Sequence, residues 1–121
     1  AGSIKFTPPL PQSKQDAIQS IGVGTLNKCI MYWDDMDKDE VFWPVDEDWI
    51  NLITPEDNTS GRWTTFFNPT QYKGVPMLVG FIGGADAIAI ENQTDEDVLN
   101  DVMENLSIMF GASIPKPTKH I

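Results

Sequence analysis

Lys28 stands at the head of an almost unbroken apolar run, Cys-Ile-Met-Tyr-Trp over residues 29–33, directly after the turn Gly-Val-Gly-Thr-Leu-Asn over residues 22–27. A lysine at the mouth of a strand ordinarily reaches solvent as a strand-end charge. A desolvated one shifts its pKa readily and can hold a water or a reacting group, so spacing alone leaves both readings open. Gly22-Val23-Gly24 copies the opening of a dinucleotide fingerprint, but Asn27 replaces the third glycine and the segment leads from a helix into a strand. A pyrophosphate site needs a strand before the glycines and a helix N-terminus after them, so this loop is no nucleotide site.

Asp35, Asp37, Asp39 and Asp46 have the carboxylate spacing of a calcium loop, but Glu40 occupies the place where the sharp turn needs glycine. His120 and Cys29 are each the single residue of their type. One histidine without a partner at ligand spacing supports neither a zinc site nor a catalytic triad, so no metal is expected. One cysteine closes no internal disulfide, and within an apolar run Cys29 reads as a small buried hydrophobe. Trp33, Trp43, Trp49, Trp63, Phe66 and Phe67 are core by default, although ring faces attract ammonium groups and a few could line a cation site.

The elements that must position these residues follow from periodicity and punctuation. Residues 4–6 read as a short strand, and Pro11 opens a helix over 11–21 whose narrow apolar face is Ala17, Ile18 and Ile21, with Gly22 as its left-handed cap. Residues 26–33 read as a strand buried on both faces in its second half. A polar loop over 34–40 precedes short strands at 41–43 and 49–53, separated by the acidic turn Asp46-Glu47-Asp48, and 54–61 is a second loop. Residues 63–68 and 75–82 form a hairpin closed through 69–74. Gly83-Gly84 turns into a short helix that runs to about Glu91. Thr94, with Asp97 three residues on, caps a longer helix with Val98, Leu99, Val102, Met103, Leu106, Met109 and Phe110 on one face and Gly111 at its end. The order predicts one α+β domain over 1–121, a mainly antiparallel or mixed sheet with helices packed on one side.

The 121 residues, 40% of them hydrophobic, are enough for one core without a metal or disulfide staple. No apolar run approaches the ~18 residues of a bilayer-crossing helix, so no membrane segment is expected. Eight Lys and Arg against 18 Asp and Glu give a formal charge of -10. The bases are scattered, which argues against nucleic acid, whose phosphates need clustered cations. The acids are concentrated: ten lie between Asp34 and Asp57 against Lys38 alone, and seven between Asp86 and Glu104 with no base. Such fields repel anions and gather cations, so a cationic small molecule or a basic partner is the permitted ligand, while on charge alone solubility is the stronger reading of acidic loops. No leader is visible at Ala1, both ends are abrupt, and an excised piece of a longer protein fits them.

The run Ile-Lys-Phe-Thr-Pro-Pro-Leu-Pro-Gln-Ser-Lys-Gln-Asp-Ala-Ile over 4–18, the run Ile-Gly-Val-Gly-Thr-Leu-Asn-Lys-Cys-Ile-Met-Tyr-Trp-Asp over 21–34, Val-Phe-Trp at 41–43 and Met-Phe-Gly-Ala-Ser-Ile-Pro-Lys-Pro over 109–117 together resemble the flavin-dependent amine oxidase family. The polyamine oxidases and the lysine-specific histone demethylases look most similar. The resemblance implies the substrate-binding part of an FAD enzyme, without the FAD-binding domain, so the piece alone neither holds FAD nor turns over. It also implies a role for Lys28, beside flavin N5 through a bridging water, where it positions that water and assists reoxidation by dioxygen. Leu26 and Asn27 would adjoin the substrate cavity, and Phe67, where the histone demethylases have tryptophan, would be a channel wall. The implied reaction oxidises an amine, with polyamines the leading class, to an imine with release of hydrogen peroxide.

Two competing readings make different demands. A histone demethylase would accept a methyl-lysine tail on the same surface. A non-catalytic acidic interaction module would leave Lys28 solvated at an outer edge, with no large apolar face. The amine-oxidase reading expects such a face around Lys28, covered by the missing FAD-binding domain or, in an isolated piece, by a second copy in a dimer.

Overall fold

A computed structural model of the chain describes residues 4–53 and 61–121. In chain order its elements are α1 (Gln12–Ser20), β1 (Leu26–Tyr32), β2 (Trp49–Asn51), β3 (Thr65–Phe67), α2 (Thr70–Lys73), β4 (Met77–Gly83), α3 (Gly84–Ile90), α4 (Asp95–Phe110) and β5 (Lys119–His120). The strands form one sheet in the order β2-β3-β4-β1-β5, and every pairing is antiparallel. The fold is α+β, as expected.

Antiparallel register assigns each side chain to a face, because directly paired residues point the same way and neighbours along a strand point opposite ways. Ile50, Phe66, Gly80 and Cys29 make one row across four strands, and Leu78, Met31 and His120 make part of the next. This face carries the core, closed by Ala87 and Ile90 of α3 and by Leu99, Val102, Met103 and Leu106 of α4. Phe66 packs where Gly80 has no side chain: a Cβ there would meet the Phe66 ring at 3.2 Å and the Trp63 ring at 3.3 Å, both fully buried. The helix α4 starts as its sequence demands. Thr94 Oγ1 accepts from the Asp97 amide, and Asp97 accepts in return from the Thr94 amide, while Asp95, Glu96 and Asp97 complement the positive end of the helix.

The hairpin of β3 and β4 forms as read, with α2 inside its connection. Other expectations fail for lack of partners. Residues 4–6 pair with nothing and are not a strand, and β2 stops at Asn51 where pairing with Thr65 ends. Residues 41–43 are also not a strand. Trp43 Nε1 donates to Asn68 Oδ1 at 3.1 Å, and Asn68 Nδ2 donates to the Pro44, Val45 and Glu47 carbonyls, so one buried amide binds this stretch as a loop. The helix α1 forms but buries none of its residues, its apolar stripe having nothing to pack against among the described residues. Gly22 does not cap it: the chain leaves through Ile21 in extended conformation, and Gly22 has no positive φ. In the second half of β1 the residues alternate between buried and partly exposed, so the apolar run is fully covered on one face only instead of on both. Of the loop expected over 54–61, residues 54–60 lie outside the described residues. Among those described, no helix is long and apolar enough to cross a membrane.

Candidate functional site

Among the described residues, no helix packs against the second face of the sheet. Its first row runs Asn51, Thr65, Phe81, Lys28, and its second Trp49, Phe67, Val79, Ile30, with Leu26 one step further along β1. Lys28 is exposed and, among the described residues, makes no ion pair. Phe81 sits directly across from it in the register. Trp49 leans over both phenylalanines, its ring 5.1 Å from that of Phe67 and 5.8 Å from that of Phe81, tilted by 45° and 38°. Leu26 is 61% exposed and Trp49 54%, while Phe81, Phe67 and Ile30 between them are half-buried and Val79 is buried.

Of the four residues singled out in the sequence, this face gathers Leu26, Lys28 and Phe67, at separate positions on β1 and β3. Asn27 is on the other side of the sheet. Its Nδ2 donates to the Ala87 carbonyl at 2.8 Å and to Glu91 Oε1 at 3.3 Å, which satisfies a carbonyl left free where α3 ends and anchors that helix beneath β1. Two members of the face were not singled out. Trp49 was read as core, although the acidic turn before it and the polar Asn51 after it were signals of an edge strand. Phe81 lies within an apolar run whose alternation is hidden, and only its register against Lys28 marks it.

Beside the stretch of β1 that β5 does not pair with, a cleft of about 210 Å³ is lined by Asn27, Lys28, Cys29, Glu91, Asp95 and His120 among others. No group of three or more metal-type ligands occurs among the described residues. Cys29 is buried, as read from the sequence. Burial, helped by the negative charge of Asp95, pushes its thiol from 9.0 up to about 11. The neutral thiol is therefore the folded form. The unfolded chain ionises first, so this contribution to stability is complete below about pH 9 and is lost as pH rises through about 11. The urea midpoint of the wild type is expected to fall over that window more steeply than that of Cys29→Ala, and native Cys29 to resist alkylation at neutral pH. Parallel pH profiles for the two proteins would contradict this.

The family model described as flavin containing amine oxidoreductase matches residues 1–121. Similar proteins include "Lysine-specific histone demethylase 1 homolog 1" of Oryza sativa subsp. japonica, 29% identical over 123 residues and covering 99% of this chain and 14% of that protein. "Protein FLOWERING LOCUS D" of Arabidopsis thaliana is 31% identical over 123 residues, covering 99% of the chain and 15% of its own length. "Possible lysine-specific histone demethylase 1" of Drosophila melanogaster is 28% identical over 122 residues, covering 100% and 13%. The chain thus spans about a seventh of the length of these relatives.

Proposed function

The chain belongs to the flavin-containing amine oxidoreductase family, and from that we propose that it is the substrate-binding part of an FAD-dependent amine oxidase, whose FAD-binding domain is supplied by further polypeptide. The observation that carries this is the sheet face without a helix, which presents exposed Lys28 beside the half-buried ring of Phe81, with the exposed ring of Trp49 at its far edge.

Among the described residues, the chain fits FAD at one point. The glycines before β1 follow a helix, and those before α3 open a helix of seven residues with Asp86 in its first turn, which repels phosphate. With a charge of -10, the chain offers no cradle for a pyrophosphate among its described residues. Lys28 is different, because an exposed ammonium on a rigid strand can face a flavin ring placed over the sheet. When bound, FAD would supply the two-electron oxidation of the amine to an imine, with dioxygen as the final acceptor and hydrogen peroxide as its product. The part of Lys28 is to hold a water by hydrogen bond and to place positive charge where oxygen is reduced. Leu26 and Phe67 supply apolar wall, and Asn27 holds β1 in place from below.

The leading substrate class is the polyamines, supported by acidic surfaces that attract multiply charged cations. The names of the relatives support a second reading, a methyl-lysine side chain in a basic histone tail. The deciding experiment expresses the full-length polypeptide, tests for bound flavin by absorbance, and assays peroxide release with spermine, spermidine and methyl-lysine histone peptides. Spermine oxidation that slows as salt is added is the expected result. Oxidation of the peptides alone would establish the second reading, and a colourless protein silent toward every amine would overturn both.

A further inference from the structure

We infer that Trp49 is a specificity residue for the amine, its ring holding a second, non-reacting ammonium of the substrate while the reacting nitrogen lies toward Lys28. This rests on the amine-oxidase reading and adds what the sheet face demands of the substrate.

Trp49 is more than half exposed on the outermost strand, where a large ring contributes little to the core. Its presentation is nonetheless built. The amide of buried Asn68 donates to the Asp48 carbonyl at 2.8 Å, and the Tyr72 hydroxyl donates to Asp48 Oδ1 at 2.7 Å, which fixes the residue just before Trp49. Phe67 and Phe81 then brace the indole from below. The face of such a ring attracts an ammonium, and the adjacent Asp46, Glu47 and Asp48 make the field there negative.

Spacing decides which amine fits. The strands β1 and β2 are separated by β4 and β3, three spacings or about 14 Å between backbones. The cation of Lys28 repels an ammonium at its own end of this track, where the reacting nitrogen must be neutral. Between the two ends lie Phe81 and Phe67, an apolar floor suited to methylene groups. A chain of methylenes with charged nitrogens at intervals spans this arrangement, whereas a monoamine reaches one end only.

The test uses the full-length flavoprotein and the variants Trp49→Leu and Trp49→Phe, compared at equal flavin content. With spermine, Trp49→Leu is expected to raise KM about tenfold while kcat changes far less, with Trp49→Phe recovering most of the loss. Benzylamine, which has one nitrogen, is expected to show a much smaller change in KM. Calorimetric titration with decamethonium, two quaternary ammoniums on a methylene chain, is expected to show the same tenfold weakening for the leucine variant. Equal factors for spermine and benzylamine, or decamethonium binding insensitive to Trp49→Leu, overturn the inference. Absence of flavin overturns the amine-oxidase reading itself, and the decamethonium titration still decides whether Trp49 holds a cation.

Discussion

Lys28→Met in the full-length flavoprotein is expected to lower the rate of peroxide release by about 10²-fold or more, a loss of the size seen when one preorganised charge or donor is removed from a reacting centre. Methionine keeps most of the length of lysine and removes both the charge and the three donors. Because Lys28 is exposed and forms no ion pair among the described residues, the fold has little to lose, and unfolding should shift by no more than about 0.5 kcal/mol. Rapid-mixing measurements separate the two half-reactions. Reduction by amine without oxygen reports whether Lys28 orders the reacting end, and reoxidation reports whether its charge and water assist oxygen. Lys28→Arg is a stringent companion, since it restores charge but replaces a compact ammonium by a planar fork. If both half-reactions of the methionine variant match the wild type, Lys28 has no chemical role and the bare sheet face needs another explanation.

The largest effect on stability is expected from Trp33→Ala, at about 3–5 kcal/mol. Trp33 is fully buried just past the end of β1, packed edge-on against Phe42 with centroids 5.3 Å apart and tilted by 55° against Trp43 at 5.0 Å. Its Nε1 donates to the Pro115 carbonyl at 2.9 Å, which fastens the segment leading into β5. Truncation opens a cavity among three elements and frees that carbonyl, against a total stability that for a domain of this size is about 5–15 kcal/mol. Trp33→Phe keeps most of the packing and should cost less than half as much. Urea unfolding followed by near-ultraviolet circular dichroism measures both, and an alanine variant with the wild-type midpoint would show that this cluster does not hold the C-terminal segment.

Elements whose stabilising interactions are local were legible in advance. The helix α4 carries its start signal in Thr94 and Asp97 and its buried face in the 3.6-residue spacing of Leu99, Val102, Met103 and Leu106, so no distant residue was needed to read it. The strands β1 and β4 were legible because their apolar runs are long. Residues 4–6 and 41–43 look equally strand-like, but a strand needs a partner at the right distance. The first stretch has none, and the second is bound instead by Asn68, about 25 residues away. The site divides in the same way. The Gly-x-Gly-x-Leu-Asn-Lys turn marked Lys28 through its resemblance to a family, whereas the polar neighbours of Trp49 signalled only an edge strand and nothing local marked Phe81.

What the chain's own order of residues determined was its α+β class, its family and the position of a lysine at the head of a strand, because hydrophobic period, capping and motif act over a few neighbours. Which aromatic rings share a face with that lysine was decided only by tertiary structure. The pairing of β2, β3, β4 and β1 sets the register, and a shift of one residue would send Lys28, Phe81 and Trp49 to opposite sides of the sheet.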